Sequence, residues 1–266
     1  MTISPNMTLY LALALYTLGT LIALASLFRR QVALQRAGMI VMIAGWISHT
    51  IWIGTVCTIT GHPPLTNLPE ASSFVAWTVF AVEMALFIRY RVHAAAFFVH
   101  PLVLILLTIT AVVHEPFARV TPEMRSRIFT AHILFTTIGI AALFIGVAFT
   151  YLSIAQDRAL KSKTRGRLWQ WIPSLSVCKQ ISRQALAIGF SLYTLGLIAG
   201  VIWSYHTPVG LVELRVKQVG AIVAWGLFAF LLQASITGAM SSKRTIVVSI
   251  GAFVATLLAI LGIHHV

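Results

Sequence analysis

Charge is what this chain has least of. Only 9% of its 266 residues are Asp, Glu, Lys or Arg, and just six of them are acidic. Hydrophobic residues make up 59%, with a mean hydropathy of +0.92. A soluble domain cannot hide that much apolar surface, so water is excluded as the main solvent. Cysteine is scarce as well. Cys57 and Cys178 fall at opposite ends of the hydrophobic stretches described below and are not expected to pair. No C-x-x-C-H occurs, which excludes covalent haem attachment to this chain. A phosphate loop, a Rossmann fingerprint, H-E-x-x-H and G-x-S-x-G are all missing too.

What is present is a series of long apolar runs. A bilayer requires about 20 apolar residues per helical span. Eight stretches qualify, near residues 7–28, 37–60, 73–89, 94–113, 128–151, 184–204, 219–239 and 245–263. Lipid offers no partner to an unpaired backbone group, so these runs must be helices. An all-α, polytopic membrane helix bundle is expected, forming a single domain over residues 1–266. The first span lacks a basic leading region and an A-x-A site, so it reads as a retained span rather than a signal peptide.

Basic residues orient the bundle. One set of connections carries Arg29, Arg30, Arg36, Arg89, Arg91, Arg158, Lys161, Lys163, Arg165, Arg167, Lys179, Arg183, Lys243 and Arg244. The other carries only Arg119, Arg125, Arg127, Arg215 and Lys217, nearly offset by Glu70, Glu115, Glu123 and Glu213. Fourteen against five puts both termini on the extracytoplasmic side of a cytoplasmic (inner) membrane. The net charge of +13 is thus a topology signal, and no nucleic-acid partner is implied. Residues 156–183 hold seven basic residues with Trp169 and Trp171, a composition expected to lie along anionic inner headgroups.

Histidine is the informative minority. Six of nine, His62, His114, His132, His206, His264 and His265, fall at or just beyond the outward ends of spans. His93 lies on the opposite face, and His49 and His100 sit inside apolar stretches. Imidazole is the commonest protein ligand for metals, so this cluster points to a metal or metal cofactor near the outer face. Histidine also tolerates interfaces, and any single one is as readily a lipid-boundary residue. Depth adds a second feature. Glu83 is six residues before Arg89 and His100 nine after Arg91, so the two are predicted to meet across the hairpin of spans three and four. His49 is about twelve residues into its span, a depth at which ionisable groups are costly and usually functional. The plainer reading of His49 is a neutral ring held by a nearby carbonyl or serine.

The loop GHPPLTNLPEASSFVAW at 61–77, after AGWISHTIWIGTV with His49, resembles the cytochrome c assembly family, the CcsA/ResC and HemX-like membrane haem-handling proteins. TAHILFTTIGIAALFIGVAFTYL, opening the fifth span, and IGFSLYTLGLIAGVIWS at 188–204 extend the likeness, which runs from about residue 37 onward. That resemblance implies non-covalent haem b held near the outer face, with one histidine pair at the surface and one within the membrane. His132 corresponds to the first outward position and His49 to the first intramembrane one. Gln233 stands where the seventh span should supply a histidine, and His264 or His265 would replace the second outward ligand. His206 is a reserve ligand. By their depth alone, Glu83 would orient His100 or a ligating histidine from behind, or else form with His100 a buried polar pair that joins the two helices. YHTPVGLVELRVKQ at 205–218 lacks the tryptophan-rich W-x-W-D segment of the family's synthases.

The implied function is a haem-handling or assembly factor rather than a stand-alone catalyst. Its partners would be lipid and a membrane or extracytoplasmic protein of cytochrome c assembly or of a redox complex. Two alternatives share the histidine set: a b-type cytochrome subunit passing electrons between quinone and a partner, and a haem-free assembly scaffold.

Overall fold

The computed structural model describes residues 5–29, 31–61, 64–65, 67–90, 92, 95–113, 126–162, 173–205, 216–238 and 240–261. Among these, all regular structure is α-helical: α1 (Pro5–Arg29), α2 (Val32–Thr60), α3 (Leu68–Tyr90), α4 (Ala96–Val112), α5 (Arg127–Lys161), α6 (Leu175–Tyr205), α7 (Val216–Thr237) and α8 (Ser242–Leu261). Seven are long and apolar enough to cross a bilayer. The exception is α4, which forms where the fourth span was expected but has only 17 residues. At 1.5 Å per residue it is about 26 Å long, just short of a hydrocarbon core of about 30 Å.

Backbone contacts group the helices into two compact units, α1–α4 and α5–α8. In unit 1, α1 packs on α2 and α4, and α3 packs on α4. The loop motif at 61–77 acquires a structural meaning here. Gly61 closes α2 at φ 75, a conformation that costs glycine nothing, and its N–H bonds the Cys57 carbonyl at 2.9 Å. Asn67 then caps α3, its Oδ1 accepting from the Glu70 backbone N–H at 2.9 Å. Asn67 Nδ2 also reaches Glu70 Oε1 at 3.3 Å, so cap residue and third-position carboxylate hold each other.

In unit 2 the dominant pairing is α5 against α6. Lipid is as apolar as leucine, so helices associate in it by close packing, which small residues permit. Gly139 and Gly189 are the clearest case. A Cβ on Gly139 would lie 2.6 Å from the Tyr193 backbone N, and one on Gly189 would lie 2.7 Å from that of Leu143. Leu143, Val147, Leu186, Tyr193, Ala224 and Phe228 form the buried core beside this contact. Both helices run on into the basic segment expected at 156–183: residues 156–161 end α5 and 175–183 begin α6. Gln156 Nε2 donates to the Pro173 carbonyl at 2.6 Å and ties the two together there. Residues 163–172 of that segment lie outside the described residues.

Candidate functional site

The outward histidine that the structure describes, His132, is the sixth residue of α5, roughly 8 Å along the helix from its start. Ser126 caps this end, its hydroxyl accepting from the Phe129 N–H at 3.1 Å, which fixes the turn before His132. His132 Nδ1 lies 2.7 Å from the carbonyl oxygen of Gly196 on α6. A carbonyl can only accept, so Nδ1 must carry the proton. The neutral ring then presents an unprotonated Nε2, the form in which imidazole binds a metal. Among the described residues nothing bonds Nε2, and the side chain is half-buried.

Gly200 on α6 leaves the space that this ring fills. A Cβ at Gly200 would come within 2.7 Å of His132 Nδ1 and 2.8 Å of Cε1, so the ring occupies space that any larger residue would take. Closer to the helix ends, Phe129 and Trp203 pack with ring centroids 4.9 Å apart and an interplanar angle of 46°. Sequence reasoning placed His132 but missed Gly196, Gly200 and Phe129. The spacing of Gly189, Gly196 and Gly200, which puts all three on one side of α6, was the available signal.

His49 is fully buried in unit 1. Its Nε2 lies 2.7 Å from Ser73 Oγ on α3, and Tyr16 and Trp52 flank it at centroid distances of 6.0 and 6.2 Å. Nδ1 has no hydrogen-bond partner. The plainer reading, a ring held by a serine, describes this arrangement. Ligation through Nε2 would require the Ser73 contact to open, whereas Nδ1 carries no bond among the described residues.

The predicted meeting of Glu83 and His100 is present, with Oε1 and Nε2 3.4 Å apart and both side chains buried. That is ion-pair distance, yet the approach is not aligned as a hydrogen bond, and Glu83 Oε2 and both His100 nitrogens stay without one. Gln233 is exposed on α7. His62, His93, His114, His206, His264 and His265 lie outside the described residues, so the second outward ligand has no described position. Cys57 and Cys178 are free thiols.

Comparison with known proteins agrees with this architecture. Residues 65–266, about three quarters of the chain, match the family described as cytochrome C assembly protein. The chain is 25% identical to Protein HemX of Bacillus subtilis (strain 168) over 189 residues, covering 70% of this chain and 68% of that relative. It is 24% identical to the cytochrome c biogenesis protein CcsA of Guillardia theta over 241 residues, 84% and 80% of the two. A solved structure, the cytochrome c heme lyase CcmF, matches with a TM-score of 0.70 at 13% identity. That match covers 99% of this chain but 47% of the larger one, so this chain spans about half of it, and the likeness is one of fold.

Proposed function

The chain belongs to the cytochrome c assembly protein family, and from that premise we propose that it holds haem b non-covalently near the outer face of the inner membrane, with His132 Nε2 as an axial ligand. The coarser statement needs no proposal: this is a multi-pass membrane protein of the haem-handling kind that serves cytochrome c biogenesis. One observation carries the finer reading. The Gly196 carbonyl accepts a hydrogen bond from His132 Nδ1–H and so leaves Nε2 to a metal, the arrangement by which proteins orient and strengthen a ligating imidazole.

The residues present fit the group at this position. Haem supplies an iron with axial sites that a neutral imidazole can fill. The chain's own contribution is to fix the tautomer at Nδ1 through Gly196, to leave room for the ring through Gly200, and to set the Phe129–Trp203 aromatic pair close by. Of the remaining candidates, His264 or His265 is our choice for the second ligand and His206 the reserve. Without a W-x-W-D segment at 205–218, holding and delivering haem suits this chain better than attaching it. A membrane or extracytoplasmic assembly protein is the partner such delivery implies.

The test is to purify the full chain and titrate it with haem, recording the absorption spectrum. A Soret band that saturates with haem, and that is lost in His132→Ala, is expected. No band in the wild-type protein after haem addition would overturn the proposal.

A further inference from the structure

Unit 1 contains a cavity that the haem reading does not use. Its volume is ≈ 50 Å³, and Thr20, Ser26, Gln35, Glu83 and His100 supply the polar part of its lining. These residues come from the C-terminal halves of α1 and α3 and the N-terminal halves of α2 and α4. All belong to the end that carries Arg29, Arg36 and Arg89, the cytoplasmic end by the charge rule.

The cavity ends on atoms that lack partners. Glu83 is 3% exposed and His100 also 3%, and among the described residues Glu83 Oε2 and both ring nitrogens of His100 have no hydrogen bond. Leaving one such atom unpaired in an apolar interior costs about 1–3 kcal/mol, and a charged one costs more. Pro101 adds a further polar group. It has no N–H to give the Phe97 carbonyl in the preceding turn, and both residues line the same cavity. Polar and roomy cavities of this kind hold water. Intramembrane carboxylates and histidines that touch water mark proton routes more often than packing.

We propose that Glu83 and His100 form a proton-binding site, supplied by water through this cavity from the basic end of unit 1. One proton passes from that aqueous phase to Glu83 Oε2 or to a His100 ring nitrogen. An O–H bond of a hydronium ion breaks as the new O–H or N–H bond forms, water is left behind, and no electron moves. With a single proton the pair is neutral overall, the state a low-dielectric interior tolerates best. Other ionisable groups on the packed elements are few. From α1 there are the buried Tyr16, close enough to feel the Glu83 charge, and Arg29 at the helix end. From α2 there are Arg36, Cys57 and the buried His49; from α3 Tyr90, the buried Glu70, and Arg89, which lies over the Tyr90 ring at 5.2 Å; and from α4 none besides His100.

Infrared difference spectroscopy of the full chain in lipid bilayers, between high and low pH, tests the site. A carboxylic-acid C=O band that grows as pH falls is expected, shifted in D₂O, absent from Glu83→Gln, and moved in midpoint in His100→Gln. Identical pH-difference spectra for wild type and Glu83→Gln would overturn the proposal. A second measurement leaves the pair itself intact. In a Cys57→Ser, Cys178→Ser background, Thr20→Cys should react with a membrane-impermeant maleimide added at the basic end. Leu21→Cys, on the exposed side of the same helix, should not. Failure of Thr20→Cys to react from the basic end would contradict water access and the site with it.

Discussion

Each unit holds four helices, but they treat buried polar atoms in opposite ways. Among the described residues, every buried side-chain atom without a hydrogen-bond partner belongs to unit 1: Tyr16 Oη, His49 Nδ1, Trp52 Nε1, Glu83 Oε2 and the two nitrogens of His100. The buried hydroxyls and amide of unit 2 are all paired. Thr137 donates to the Ile133 carbonyl, Thr256 to that of Ala252, Thr150 meets Ser182 at 2.6 Å, and Tyr151 meets Ser249. Thr137 and Thr256 bond within their own helices, whereas Thr150–Ser182 and Tyr151–Ser249 tie α5 to α6 and to α8. Unit 2 is therefore built to keep one geometry, which a ligating histidine needs. Unit 1 keeps polar atoms unsatisfied in a medium where that is costly, which makes sense only if water, a proton or a ligand reaches them.

That contrast can be broken, and the largest effect should come from the contact that makes unit 2 rigid. Gly139→Leu would drive a side chain into the backbone of α6, and overpacking of this kind costs about 3 kcal/mol. Loss of the thermal transition or a steep fall in its midpoint is the expected result. An unchanged transition would show that α5 and α6 are not held as closely as described. Gly200→Ala comes next. Its Cβ would displace the His132 ring from the Gly196 carbonyl, and haem affinity should fall about 10- to 100-fold while the thermal midpoint barely moves. Equal affinity in the two proteins, read by haem titration, would remove Gly200 from the site.

A smaller effect is expected in unit 1. Ser73→Ala removes the partner of His49 Nε2 and should cost about 1–2 kcal/mol of stability without weakening haem binding at His132. A lost Soret band in that variant would move the haem to His49 and invert the comparison. Asn67→Ala, which removes the cap of α3, should cost about 1 kcal/mol and leave every spectrum unchanged. Denaturant titration reads both values.

Much of this architecture is legible in the sequence because a bilayer imposes a length and a composition on each helix. All eight helices lie where apolar runs predict them, and the family resemblance read from 61–77 onward is borne out by the match over 65–266. Glu83 and His100 were paired by counting rise per residue, which works because both count from charged helix ends that anchor at the interface. What stayed hidden was set by the backbone. The Gly196 carbonyl that orients His132 has no residue type to advertise it, since any residue carries a carbonyl. Ser73 as the partner of His49 depends on the rotation of α3 against α2, and hydropathy does not encode rotation when every face is apolar.

The account rests on haem being held at His132 in the rigid unit. Its most direct test sets three purified proteins side by side with equal haem: wild type, His132→Ala and His49→Ala. A Soret band retained in His49→Ala and lost in His132→Ala is the predicted result, whereas a band that survives His132→Ala and disappears in His49→Ala would contradict it.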